Sequence, residues 1–149
     1  TVLDEPLPPI MGNVTQLQQV LINLLSNALD ATPPGGTIAV VTQSQGELSS
    51  TVALKVTDTG TGISAEHLSK VFDPFFTTKP PGRGTGLGLS VCFGIVQDHQ
   101  GTITVDSQRD RGCTFTVILP VILRVELSRQ GSHRMLQPAL TASQNKGAL

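Results

Sequence analysis

Asn23 and Asn27 stand four residues apart and Asp30 follows three later, so on a helix all three project from one side. Asn is a poor residue for a helix interior because its amide competes for backbone hydrogen bonds, and two on one face need a reason. A solvated flank is one reason. The other is that the amide oxygens ligate a hard cation such as Mg²⁺ or meet phosphate-bound water. A second cluster, Asp58-Thr59-Gly60-Thr61-Gly62-Ile63, falls where a strand-like run ends. A carboxylate there can accept from an exocyclic amine, and glycines let the backbone approach a flat ring. A turn with an Asx cap explains the same residues. The third cluster, Gly82-Arg83-Gly84-Thr85-Gly86-Leu87-Gly88-Leu89-Ser90, leads straight into a helical pattern. Backbone N–H groups at a helix N-terminus, approached closely at glycine, suit phosphate oxygens; a flexible linker is the alternative. The chain has no G-x-x-x-x-G-K-[ST], and its glycine run follows a loop rather than a first strand, which excludes the P-loop and the dinucleotide fingerprint.

The elements that must position these clusters follow from periodicity. After Gly12-Asn13, the residues Leu17, Val20, Leu21, Leu24, Leu25, Ala28 and Leu29 form the stripe of an amphipathic helix, stopped by Pro33-Pro34-Gly35-Gly36. Strand-like runs cover Thr37 to Gln43 and Thr51 to Thr57, with Val52, Leu54 and Val56 alternating in the second. Ser64 caps a short helix running to about Val71, Pro74 breaks it, and Thr77 to Thr85 has the Pro/Gly content of a mobile loop. Leu89, Cys92, Phe93 and Val96 mark a second long helix, closed at Gly101, where His99 caps carbonyls. Ile103 and Val105, then Cys113, Phe115, Val117 and Leu119, mark two strands joined by a turn at Gln108 to Gly112. Helices and antiparallel strands in separate blocks predict helices layered on one face of a mixed sheet.

The 149 residues fit one domain, and 38% hydrophobic content suffices for one core. Net charge of -1 leaves no footprint for nucleic acid. The apolar run Val117 to Val125 is broken by Pro120 and Arg124, too short for a membrane span, and the N-terminus lacks a secretory signal pattern. Cys92 and Cys113 lie in apolar runs without a C-x-x-C, which favours buried thiols and a cytoplasmic setting. Residues 1–120 carry net -4 and 121–149 net +3, so composition divides the chain into a domain at 1–121 and a flexible tail at 122–149.

In this order and spacing, four segments resemble the catalytic ATP-binding domain of sensor histidine kinases. That family lies in the GHKL superfamily shared with gyrase, heat-shock chaperones and mismatch-repair ATPases. QLQQVLINLLSNALDAT looks like the N box, DTGTGIS the first glycine box, VFDPFFTTK the F box and GRGTGLGLSV the second glycine box. The resemblance covers about Gly12 to Pro120. It implies an α/β (α+β) two-layer sandwich with a mixed, mostly antiparallel sheet covered on one face by helices. ATP would lie between the N-box helix and a mobile lid at about Phe76 to Thr85.

On that resemblance Asn27 would coordinate Mg²⁺ bridging the phosphates, supported by Asn23, and Asp58 would bond the adenine amine. Gly60 and Gly62 would pass along the base, Gly84, Gly86 and Gly88 would wrap the phosphates, and Thr114 would join the adenine water network. Lys79 and Arg83 are lid cations within reach of the γ-phosphate, or else solvated loop charges. Asp30, Ile63, Thr85, Leu87 and Leu89 complete the implied site. Phe72, Phe75 and Phe76 would pack the lid base. Hydrolytic relatives carry a glutamate base where this chain has Asn23, whose amide cannot accept a proton at neutral pH, which favours phosphoryl transfer.

The implied activity is protein-histidine kinase, with ATP and Mg²⁺ as ligands, and no nucleic acid or membrane contact by this domain. No histidine here sits in a dimerising hairpin with an acidic residue and a later Pro-Leu, so the acceptor hairpin is expected on a longer parent, which would supply a response regulator. An anti-sigma-type serine kinase and a nucleotide-binding pseudoenzyme are the alternatives.

Overall fold

The structure, a computed structural model, describes residues 1–46, 50–80 and 84–122. Arg83 and the tail beyond 122 therefore lie outside the described residues. The elements in chain order are β1 (Val2–Leu3), α1 (Val14–Ala31), β2 (Ile38–Gln45), β3 (Thr51–Asp58), α2 (Ala65–Leu68), α3 (Gly88–Asp98), β4 (Thr102–Ser107) and β5 (Cys113–Pro120). The strands form one sheet in the order β1-β2-β3-β5-β4. β1 runs parallel to β2, and every other pairing is antiparallel. This is the expected mixed sheet. Its parallel member, β1, is two residues long and too short to show a pattern in the sequence.

α1 begins where Asn13 accepts from Thr15 N (3.0 Å) and Gln16 N (3.2 Å), satisfying two otherwise orphaned helix donors. It ends at Ala31, two residues before Pro33, whose ring disfavours a helical residue ahead of it. Val20, Leu24 and Ala28, at steps of four, are its buried face. β5 alternates strictly, with Cys113, Phe115, Val117 and Leu119 buried, so a single face of the sheet meets the helices. Val56, Val96, Cys92 and Ile103 complete the core between helices and sheet. Leu24 is fully buried, and truncating such a side chain to Ala costs about 2–5 kcal/mol.

His99 joins the ends of the two long helices. Its Nδ1 lies 2.7 Å from Ile95 O, and its Nε2 accepts from Asn13 N at 3.0 Å, so the proton belongs on Nδ1. The expected carbonyl cap is present and also anchors the start of α1.

The segment after Ser64 departs from the predicted helix to Val71. α2 is four residues long, and the chain continues in tighter turns, with Lys70 N donating to His67 O and Asp73 N to Lys70 O, both at 2.9 Å. The Ser64 hydroxyl donates to Glu66 Oε1 at 3.3 Å and makes no bond to the helix backbone. With no backbone cap and Pro74 close behind, nothing sustains a longer helix.

Candidate functional site

A cavity of about 780 Å³ lies between α1, the glycine segment Asp58–Ile63 and the segment that leads into α3. That size is within the range of roughly 300–1,000 Å³ usual for small-molecule sites. Asn23, Asn27 and Asp30 line it from α1; Asp58, Gly62 and Ile63 from the end of β3; Lys79, Gly84, Thr85, Gly86, Gly88 and Leu89 from the loop and the start of α3. Residues from three distant stretches of the chain thus meet on one cavity.

One end is closed by apolar side chains around a carboxylate. Asp58 is the only buried charged residue among those described, at 5% exposure. Its Oδ1 accepts from Gly60 N at 2.8 Å, which fixes the rotamer. Ile63, Val71, Leu89 and Phe115 line the same cavity. The other end is polar and carries a cation. Lys79 Nζ donates to Asp30 Oδ2 at 2.6 Å and to Asn27 Oδ1 at 3.3 Å. The lining therefore divides into an apolar set with one acceptor, the apolar end, and a polar set with a cation and amide oxygens, the polar end.

Asn23 is used within the protein. Its Nδ2 donates to Gly88 O (3.1 Å) and its Oδ1 accepts from Gln19 Nε2 (2.8 Å), tying α1 to the first residue of α3. The loop preceding α3 is tied to the F-box segment by Phe75 N donating to Gly86 O at 2.9 Å. Gly86 has φ +67°, and a Cβ there would strike the Phe75 backbone, so this contact requires glycine. Of the three phenylalanines, Phe72 packs inward with ring centroids 5.7 Å from Phe93 and 6.4 Å from Phe115. Phe76 lines the cavity with its ring against His67, and Phe75 is 73% exposed.

Three residues expected at the site are not among those lining the cavity. A Cβ on Gly60 would lie 2.5 Å from Ala31 O and 2.8 Å from Asp58 Oδ1, so the packing of this loop on the end of α1 requires glycine here. Leu87 is the N-cap residue of α3, is exposed and does not line the cavity. Thr114 bonds Thr57 across strands, Oγ1 to Oγ1 at 3.0 Å, on the sheet face opposite the cavity. Its neighbour Cys113 lines the cavity instead. The alternation of Cys113, Phe115, Val117 and Leu119 carried that signal, since it places Thr114 on the other face.

Both cysteines are free and buried. Burial pushes the Cys113 thiol from 9.0 to about 12, with the neighbouring Ser107 hydroxyl opposing the rise and the Asp58 and Asp106 carboxylates adding to it. Burial likewise pushes Cys92 up to about 11, with the neighbouring Asn23 amide opposing the rise. Neither is a thiolate nucleophile near neutral pH.

Residues 12–123 match the family described as histidine kinase-, DNA gyrase B- and HSP90-like ATPase. The catalytic domain of histidine kinase ThkA has the same fold, with a TM-score of 0.69 and 35% identity over 80% of this chain and 77% of that one. The chain belongs to this ATPase family, in its sensor histidine kinase branch. The histidine kinase domain is 46% identical to the sensor histidine kinase ZraS of Escherichia coli (strain K12) over 79% of this chain and 24% of that protein. It is 41% identical to the sensor kinase CckA of Brucella abortus (strain 2308) over 77% of this chain and 13% of that protein. It thus spans a quarter or less of these curated relatives. No helix among the described residues is long and apolar enough to cross a membrane.

Proposed function

We propose that the cavity binds ATP with Mg²⁺ and that the domain donates the γ-phosphate to a histidine on a separate dimerisation hairpin of a longer kinase. The phosphohistidine would then supply a response regulator. The observation that carries the reading is the polarity of one cavity, with buried Asp58 at the apolar end and Lys79, Asn27 and Asp30 at the other.

Adenine suits the apolar end because Asp58 retains acceptor capacity toward the exocyclic amine, whereas guanine would present a carbonyl oxygen to a carboxylate. The polar end suits a triphosphate. Asn27 Oδ1 already accepts from an ammonium, so it faces cations, and an amide oxygen is a hard ligand of the kind Mg²⁺ takes beside phosphate and water. Bound there, Mg²⁺ would supply charge neutralisation on the phosphate oxygens. Gly84, Gly86 and Gly88 line the same cavity, where backbone N–H groups entering α3 meet anions favourably.

In the transfer, an imidazole nitrogen of the hairpin forms a bond to the γ-phosphorus as the bond to the bridging oxygen breaks, leaving ADP. Such chemistry depends mostly on position and electrostatics, so the domain's work is to hold the phosphates in line. The Asn23 amide, engaged by Gln19 and Gly88, offers no proton acceptor for a hydrolytic water.

The test has two arms. In calorimetry, Asn27→Ala weakens Mg-ATP far more than adenosine; equal losses would reject the assignment of the polar end. With γ-labelled ATP, the domain alone neither labels itself nor releases phosphate appreciably, whereas a separately made hairpin from the parent kinase takes up an acid-labile, alkali-stable label. Rapid phosphate release by the domain alone, or an acid-stable product, would overturn the histidine kinase reading.

A further inference from the structure

We propose that Ser107, at the end of β4, is the positioning residue that sets the base end of the nucleotide cavity, an inference that rests on the nucleotide reading above. Ile63 N donates to Ser107 Oγ at 2.8 Å, across 44 residues of sequence. The same hydroxyl donates its single proton to Gly112 O at 2.7 Å. One side chain therefore grips the loop carrying the glycine cluster and the β4–β5 turn together, with its donor and an acceptor lone pair both in use.

The neighbouring contacts explain why this grip matters. Asp110 N donates to Thr61 O at 2.7 Å, and Gly62, at φ +64°, lies so close to Gln108 O that a Cβ could not fit. Thr61, Gly62 and Ile63 are thus backed by the turn on one side and line the cavity on the other. Gly112 in turn abuts the Asp58 backbone, again too closely for a Cβ, and Asp58 pairs with Cys113 in the sheet register. Ser107 braces Ile63 directly and Asp58 through Gly112. The other contacts are backbone to backbone, so Ser107 is the one member whose side chain makes the connection.

The consequence is specific to one end of the cavity. Among the described residues, Ser107 bonds only Ile63 and Gly112, and α1 is met solely at its last residue, where Thr61 N donates to Ala31 O at 3.2 Å, away from Lys79 and the start of α3 in the hydrogen-bond network. Its loss should therefore weaken every adenine ligand alike, whatever its phosphates.

The experiment compares Ser107→Ala and Ser107→Thr with the wild-type domain, using adenosine, ADP and Mg-ATP in calorimetry and amide hydrogen exchange on the ligand-free protein. Ser107→Ala is expected to lose about fivefold to tenfold for all three ligands, leaving the ATP to ADP ratio unchanged. Ser107→Thr, which keeps the hydroxyl, stays within about twofold of wild type. Without ligand, exchange at the Ile63 amide accelerates about tenfold in Ser107→Ala, while amides of Val52–Val56 in β3 are unchanged. Unchanged Ile63 exchange, a loss confined to Mg-ATP, or a threonine variant as weak as the alanine variant would overturn the proposal. If the wild type binds none of the three ligands, the nucleotide reading fails, and the exchange result still decides whether Ser107 braces the loop.

Discussion

Lys79 Nζ donates to Asp30 Oδ2 at 2.6 Å, joining the F-box segment to the last turn of α1 across 49 residues of sequence. The same ammonium reaches Asn27 Oδ1 at 3.3 Å, the oxygen proposed to meet the metal. With side chains 34% and 55% exposed, the pair adds only about 0–1 kcal/mol to stability. Its importance is positional, because Asp30 holds a cation at the polar end of the cavity and, on the proposed function, would compete with the phosphates for it.

Asp30→Asn is therefore expected to tighten ATP by up to about fivefold, the range an exposed ion pair can return, and to leave adenosine unchanged. In a Lys79→Met background the gain should disappear, since the competitor then has nothing to release. Calorimetry on the four proteins of the cycle gives the coupling. A gain that survives in the Lys79→Met background would instead mean simple repulsion between Asp30 and phosphate.

Asp58→Ala should erase the preference for ATP over GTP. A charge-assisted hydrogen bond is worth about 1.5–3 kcal/mol, or one to two decades in affinity. Competition of the two nucleotides for the variant measures this directly, and an unchanged preference would reduce Asp58 to a turn residue.

Gly60→Ala places a Cβ 2.5 Å from Ala31 O and 2.8 Å from Asp58 Oδ1. Overpacking of this kind costs about 1–3 kcal/mol. Thermal unfolding should fall by several degrees and adenosine affinity should fall with it, because the same Cβ pushes on the carboxylate. Gly94→Ala is the control. Nothing lies within 4 Å of its Cβ, and alanine in a helix gains about 0.5–1 kcal/mol. Equal behaviour of the two variants would refute the packing role of Gly60.

The cysteines predict an alkaline weakness. Below about pH 9 the thiols are protonated in both states and their contribution is fully present. Above it the unfolded chain releases protons that the folded protein holds until about 11 for Cys92 and 12 for Cys113, so stability falls as pH rises. The slope approaches about 1.4 kcal/mol per pH unit per thiol. Urea midpoints from pH 8 to 10.5 should decline less steeply in Cys92→Ala than in wild type. Parallel declines would show that other groups dominate.

The sequence alone determined the elements whose pattern is local. The apolar stripe of α1, the Pro33 stop and the alternation in β3 and β5 are each readable within one window, because helix and strand periods and turn chemistry act over a few residues. The order and spacing of the glycine and asparagine clusters likewise carried the family, and the structure brings most of them onto one cavity. What only the tertiary structure decided is what each polar group faces. At Gly60 the demand for glycine comes from the end of α1 packed against it, which no local pattern announces. Thr114 and Cys113 are adjacent, and the covered face of the sheet chooses between them. Asp30 and Lys79, Asn23 and Gly88, and Ser107 and Ile63 pair across 44 to 65 residues. Such pairings arise when the packed core brings remote segments within hydrogen-bond distance, and the identity of a single residue holds no record of its partner.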